Sequence, residues 1–235
     1  MTAIRAVVTD IEGTTTPLAF VHEVLFPYAR ARLADFVSAN ADDEEVAAAL
    51  ADARALGGIA EADDAAAVQL LLAWMEEDRK AGPLKLLQGL IWRQGYDEGV
   101  LKGEVYADAA DALRLWHSRG LRLFVYSSGS EAAQRLIFGH SDQGDLGQYF
   151  EGYFDTRIGA KVESASYAAI ARAAGLLPQE MLFLSDHEGE IEAAREAGMQ
   201  TVTIDRALPE DAWMAGPLAG SFSAVEKATS PGKPA

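Results

Sequence analysis

The sequence predicts an α/β fold, an open parallel sheet whose first two strands are separated by an inserted block of helices. Three observations carry this. Short, nearly continuous apolar runs rich in β-branched and aromatic residues occur at Ile4–Thr9, Leu121–Tyr126, Met181–Leu184 and Thr201–Ile204, the pattern of strands buried on both faces. Helical periodicity fills the gaps after the second run, at Glu131–Phe138, Ser164–Ala174 and Glu190–Ala197. Alternating strand and helix implies parallel pairing with right-handed crossovers. The stretch Pro17–Gly103 breaks that rhythm, with helical periodicity throughout and no strand pattern.

Within the insertion, Ala-rich segments succeed one another at Val21–Ala39, Asp43–Leu56, Asp64–Lys80 and Leu84–Gly95. Asn40, the Gly57-Gly58 pair and Gly82-Pro83 separate them as stop and start signals. Further on, Gly120, Gly175 and Gly198 each fall just past a helical pattern, where a left-handed cap residue is wanted. The expected organisation is a core domain of residues 1–16 plus 104–228, a helical domain of residues 17–103 and a disordered tail, 229–235.

Composition narrows the partners. The 235 residues are 49% apolar and 24% charged, ordinary for a globular chain. With 20 basic and 36 acidic residues the net charge is −16, a field that repels nucleic acid and anionic lipid. A local cation can still reverse that sign inside one cleft and admit a small anionic substrate. Charges interrupt every apolar stretch before it reaches the length of a membrane span, and the N-terminus lacks a signal peptide's apolar region. Cysteine is absent, which removes disulfides and thiolate metal sites and makes a cytoplasmic setting the expectation. No long amphipathic seam calls for a partner, so a monomer is expected.

Ligands of open parallel sheets bind beyond the carboxyl ends of the strands, so the residues there matter most. The first run ends in Asp10-Ile11-Glu12-Gly13-Thr14-Thr15-Thr16 and the second in Ser127-Ser128-Gly129-Ser130. Lys161 comes after the loop Ile158-Gly159-Ala160 and precedes a helix, and Met181–Leu184 delivers Ser185-Asp186. These are the parts that phosphoryl transfer needs. Asp10 is a carboxylate nucleophile, and with Asp186 it can hold Mg²⁺ through oxygen. Lys161 and the Ser127 hydroxyl can bind phosphate oxygens. Glu12 is placed to protonate the leaving oxygen and then to activate water. Each piece alone is weak, since a strand-end acid is often a helix cap or surface charge. The ordered set of four is much harder to obtain by accident.

That order resembles the haloacid dehalogenase superfamily, whose motifs are Asp-x-(Asp/Glu)-Gly-Thr, a strand-end Ser or Thr, a Lys and a strand-end acid. The resemblance implies a Rossmann-like core carrying an inserted all-helical cap. Glu12, the runs Tyr126–Ser130, Ile137–Ser141 and Phe154–Ser164, and Gln88–Trp92 further resemble the enolase-phosphatase family of methionine salvage. This second resemblance implies 2,3-diketo-5-methylthiopentyl-1-phosphate as the substrate, enolised and then dephosphorylated to the acireductone. It also implies one Mg²⁺ per chain, held by Asp10, by the backbone carbonyl of Glu12 and by Asp186. By the same resemblance, substrate is held by Ser127, Ser128 and Lys161. The enolisation base is not identified.

Rival readings are a phosphatase of the same superfamily acting on another small phosphate monoester, a dehalogenase, and a phospho-acceptor signalling module. The acid at Glu12 counts against a dehalogenase, and the helical insertion suits a lid better than a signalling module. No Gly-x-Gly-x-x-Gly comes after the first strand, which disfavours a nucleotide-binding dehydrogenase. Glu190 reads either as a partner of Lys161 or metal-bound water, or as a helix-start acid, and His187 has no assigned role. His22, His117 and His140 lack metal-site spacing. Trp74 is expected in a core, whereas Trp92 and Tyr96 suit a core or a pocket for the methylthio end equally, and Tyr106 is a further pocket candidate. Asp42-Asp43-Glu44-Glu45 reads as a helix N-terminal charge run.

Overall fold

The computed structural model describes residues 3–59, 63–214 and 217–229. The chain divides into two compact units, Met1–Leu18 with Lys102–Ala235, and Ala19–Leu101.

In the first unit the strands are Ala6–Thr9 (β1), Arg122–Tyr126 (β2), Phe150–Phe154 (β3), Met181–Ser185 (β4), Gln200–Ile204 (β5), Trp213–Met214 (β6) and Leu218–Ala219 (β7). They form one sheet in the order β3-β2-β1-β4-β5-β7-β6. β1 runs parallel to β2 and β4, with Val8 opposite both Phe124 and Phe183. The four predicted strands are all present, with ends shifted by up to two residues. The two-residue strands β6 and β7 are additional to them, and so is β3. Its sequence, Phe-Glu-Gly-Tyr-Phe, interrupts the apolar run with Glu151 and Gly152, because it lies at the sheet edge and pairs with β2 on one side only.

Helices Ala107–Ser118 (α5), Glu131–Gly139 (α6), Ser164–Ala174 (α7), Glu188–Glu196 (α8) and Phe222–Thr229 (α9) complete this unit; numbering is in chain order, the first four belonging to the other unit. Successive strand residues face opposite sides. One set, Ala6, Val8, Phe124, Tyr126 and Phe183, packs against Tyr167, Ile170, Ala171 and Ala174 of α7 and Ile191 and Ala194 of α8. Tyr167 meets Tyr126 and Phe183 edge-on, with ring centroids 5.5 and 4.9 Å apart, the arrangement that ring quadrupoles favour. The other set, Val7, Leu123, Val125 and Leu182, is also buried. Gly120, Gly175 and Gly198 all take positive φ, as expected of helix-ending residues. The tail predicted from residue 229 overlaps the last residue of α9, and 230–235 lie outside the described residues.

The second unit is all helical: a π-helical stretch, Phe20–Leu25, then Phe26–Ala39 (α1), Glu44–Gly57 (α2), Asp64–Glu76 (α3) and Gly82–Asp97 (α4). The helix predicted over Val21–Ala39 thus changes pitch before Pro27, which has no N–H to donate to the preceding turn. α2 is capped at its start by Asp43, whose Oδ1 accepts from the N–H groups of Glu45 and Val46 at 2.8 and 3.1 Å. α3 stops short of the predicted Lys80, and Asp78 takes φ 51° just beyond it. Trp74, Trp92 and Tyr96 are all buried, and the Trp92 indole N–H donates to the Leu25 carbonyl at 2.8 Å. Among the described residues no helix is long and apolar enough to cross a membrane.

Phe183 lies at the centre of β4 and is fully buried. Phe183→Ala is expected to destabilise the protein by about 3–5 kcal/mol in urea unfolding; a loss under about 1 kcal/mol would mean that α7 and α8 collapse into the space.

Candidate active site

Because β1 lies between β2 and β4, the segments leaving those three strands emerge side by side. This is where the strand order reverses, the usual ligand site of such sheets. The N–H of Asp10 donates to the Leu184 carbonyl at 2.9 Å, and that of Ser127 to the Phe154 carbonyl at 3.2 Å. Beyond Asp10 the chain winds tightly around one acceptor: the Ile11 carbonyl receives the N–H groups of Thr14, Thr15 and Thr16 at 3.2, 2.9 and 2.9 Å. Thr9 and Thr15 hydroxyls both donate to the Asp10 carbonyl, at 2.9 and 3.1 Å. Gly13 takes φ 70°, and a Cβ there would stand 2.1 Å from Oδ2 of Asp186. Only glycine admits that approach. Thr14 completes the link, its Oγ1 accepting from the Asp186 N–H at 3.0 Å.

Lys161 reaches this point from the loop before α7. Its Nζ is 2.5 Å from Oδ1 of Asp10 and 2.8 Å from Oε2 of Glu190, with all three side chains no more than 11% exposed. The Ser185 hydroxyl donates to the same Glu190 oxygen at 2.9 Å. The loop is tied down by Tyr126, Ser166 and Tyr167, whose hydroxyls donate to the carbonyls of Gly159, Ala160 and Lys161 at 3.0, 2.8 and 2.7 Å. Burial alone would lower the ammonium pKa. The charges of Asp10 and then Glu190, with their hydrogen bonds, outweigh burial and hold it above the usual lysine range. Lys161 is therefore a fixed cation. Glu190 fits both readings of the sequence, being the third residue of α8 as well as a partner of Lys161. His187 is the residue that caps α8.

On the other flank Ser127 is buried and Ser128 half-buried in the loop after β2, and Ser130 caps α6. Gln134, on α6 and 1% exposed, donates from its amide to the carbonyls of Gly129 and Phe154, each at 2.8 Å. It clamps the Ser127–Gly129 loop to the end of β3. Glu12 is half-buried between Ile11 and Gly13. Of the six residues singled out in the sequence, Asp10 and Lys161 meet directly, Asp186 adjoins the Asp10 loop, and Ser127, Ser128 and Glu12 lie on the loops after β1 and β2. Thr14, the threonine of the Asp-x-(Asp/Glu)-Gly-Thr pattern, joins them, and so do Gln134 and Arg206, which gave no signal in the sequence. Arg206 donates to the Thr14 carbonyl and to Asp108. A polar residue near a helix start or strand end is too common to stand out.

The carboxylate pair suits a divalent ion. Partial burial, and next the negative charge of Asp10, push the Asp186 carboxyl above its usual range, so added positive charge is favoured beside Lys161. Two carboxylates and backbone carbonyls are hard oxygen donors appropriate to Mg²⁺, which keeps several waters and needs no closed protein cage. No cluster of three metal-binding side chains occurs among the described residues. A cavity of about 640 Å³ opens beside Asp186 and Gly13, lined also by Leu18, Tyr106, Arg206 and Leu218.

A model of the haloacid dehalogenase-like hydrolases matches residues 4–198, and the chain belongs to that family. Within it the chain groups with the enolase-phosphatases. It is 85% identical to enolase-phosphatase E1 of Parvibaculum lavamentivorans over 235 residues, all of both chains. It is 59% identical to enolase-phosphatase E1 of Pseudomonas aeruginosa over 203 residues, 86% of this chain and 90% of that one. Among solved structures, the UTR4 protein of Saccharomyces cerevisiae superposes with a TM-score of 0.77 at 34% identity, covering 93% of this chain and 98% of the other.

Gly13→Ala should lower hydrolytic kcat/KM about 100-fold, the scale of a 1 Å misplacement, because the added methyl displaces Asp186. Steady-state kinetics at saturating Mg²⁺ checks this, and an unchanged kcat/KM would show that Asp186 moves aside without consequence.

Proposed function

We propose that this protein is a Mg²⁺-dependent enolase-phosphatase of methionine salvage. It converts 2,3-diketo-5-methylthiopentyl-1-phosphate to the acireductone by enolisation and then phosphate hydrolysis. The observation that carries the phosphatase half is the buried Asp10 carboxylate held 2.5 Å from the Lys161 ammonium, a nucleophile with its counter-charge already in place. The enolisation half is supported by the 85% identity to a named enolase-phosphatase over the whole chain.

Asp10 attacks phosphorus, and the P–O bond to the substrate breaks as the aspartyl-phosphate forms. Glu12 gives its proton to the departing oxygen. Glu12, now a carboxylate, takes a proton from the water that attacks the acyl-phosphate, so inorganic phosphate leaves and Asp10 is restored. Lys161, Ser127 and Ser128 hold the phosphate oxygens throughout and offset the charge that develops on them. Bound through Asp10, the Glu12 carbonyl and Asp186, Mg²⁺ would supply the positive charge that lets an anionic nucleophile approach an anionic phosphate. The helical insertion, residues 17–103, acts as the cap domain whose closure excludes water. One Mg²⁺ per chain, a monomer and a cytoplasmic setting complete the proposal.

The diketo phosphate, followed spectroscopically with Mg²⁺ while free phosphate is assayed, tests the whole. An enol absorbance rising before or with phosphate release is expected. Phosphate released from other esters with the diketo substrate untouched would move the protein to a different phosphatase role. Asp10→Asn should abolish turnover and excess chelator should silence the enzyme; activity surviving either one removes the corresponding part. Glu12→Gln should lower kcat more than it raises KM, and the reverse would make Glu12 a structural residue.

A further inference from the structure

We infer that Arg206 is a positioning residue for Asp186, acting through Thr14, and that it thereby sets the affinity of the site for Mg²⁺. The inference rests on the proposed reading of Asp186 as a metal ligand. Arg206 lies two residues past β5 and borders the same cavity as Gly13 and Asp186. Its Nε donates to the Thr14 carbonyl at 3.1 Å and its Nη2 to the same oxygen. Its Nη1 donates to both carboxylate oxygens of Asp108, at 2.9 and 2.8 Å. The guanidinium lies over the Tyr106 ring, 4.0 Å from its centroid, and the Tyr106 N–H donates to the Thr15 carbonyl at 2.9 Å. Asp108 is fixed in turn, its Oδ2 accepting from the Phe222 N–H at 2.8 Å.

Thr14 is thus held on one side by Arg206 and on the other receives the Asp186 N–H on its hydroxyl. The peptide that carries that hydroxyl cannot turn while its carbonyl is gripped by two guanidinium nitrogens. The ion pair is only 16–17% exposed, so water competes weakly for it. Lysine cannot replace this arrangement. A single ammonium does not span the Thr14 carbonyl and both Asp108 oxygens in one plane, nor stack flat on Tyr106.

Calorimetric titration of the full chain with Mg²⁺, with Arg206→Lys and Asp108→Asn beside the unaltered protein, tests this. Arg206→Lys is expected to bind Mg²⁺ about 10-fold more weakly, the lower end for losing a group that orients a ligand. Asp108→Asn should shift the same way by less, and kcat should recover in both at saturating Mg²⁺. Unchanged Mg²⁺ affinity in both variants, with only a lower melting midpoint, would overturn the inference and leave Arg206 a purely structural clamp. Should Arg206→Lys fail to fold, Asp108→Asn decides alone by the same criterion. Failure of the unaltered chain to bind Mg²⁺ would instead overturn the proposed function, and this inference with it.

Discussion

A buried ammonium shared by two carboxylates is the constraint on which the site depends. Asp10 and Glu190 converge on Lys161 from a strand end and a helix start, all nearly out of water. Without the lysine, two buried negative charges would face each other and a third, Asp186, close by. Removing one member of such a group leaves uncompensated charge, which is far costlier than the net gain from forming it. The bonds from Tyr126, Ser166 and Tyr167 to the backbone before α7 answer that demand, because a cation that must serve two acids needs a fixed origin.

The parallel sheet explains why such crowding is possible. A central strand with parallel neighbours on both sides brings three chain segments out at one edge, and here each segment carries an acid or a hydroxyl. The Gly13–Asp186 approach tightens the arrangement further, with absence of a side chain at one position allowing a carboxylate at another to lie against the backbone.

Much of this is legible in the sequence. The doubly buried strands announce themselves by unbroken apolar runs, and the strand-end acids are located directly by where those runs stop. β3 is hidden because an edge strand needs no continuous apolar signal and tolerates Glu151 and Gly152. The change of helical pitch before Pro27 is a local compromise that periodicity does not display. At the site, Asp10, Lys161 and Asp186 stand out by residue type and position. Gln134 and Arg206 do not, because what they do depends on carbonyls brought near by the fold: Gln134 serves Phe154, on the hidden strand, and Arg206 serves Thr14, 192 residues away in the chain.

The place of β1 in the sheet also governs how the chain assembles. Both of its neighbours come from much later, β2 from residue 122 and β4 from residue 181, while the helices of Ala19–Leu101 make their contacts locally. On a ribosome those helices can pack long before the first strand finds a partner. Pairings of such long sequence separation are slow to form, and an apolar strand waiting with both edges open invites pairing with another chain. The shortness of β1, only four residues, limits that hazard, so nascent β1 waits as a small sticky segment, and Asp10 just past it gains its ion pair only once Lys161 has been made.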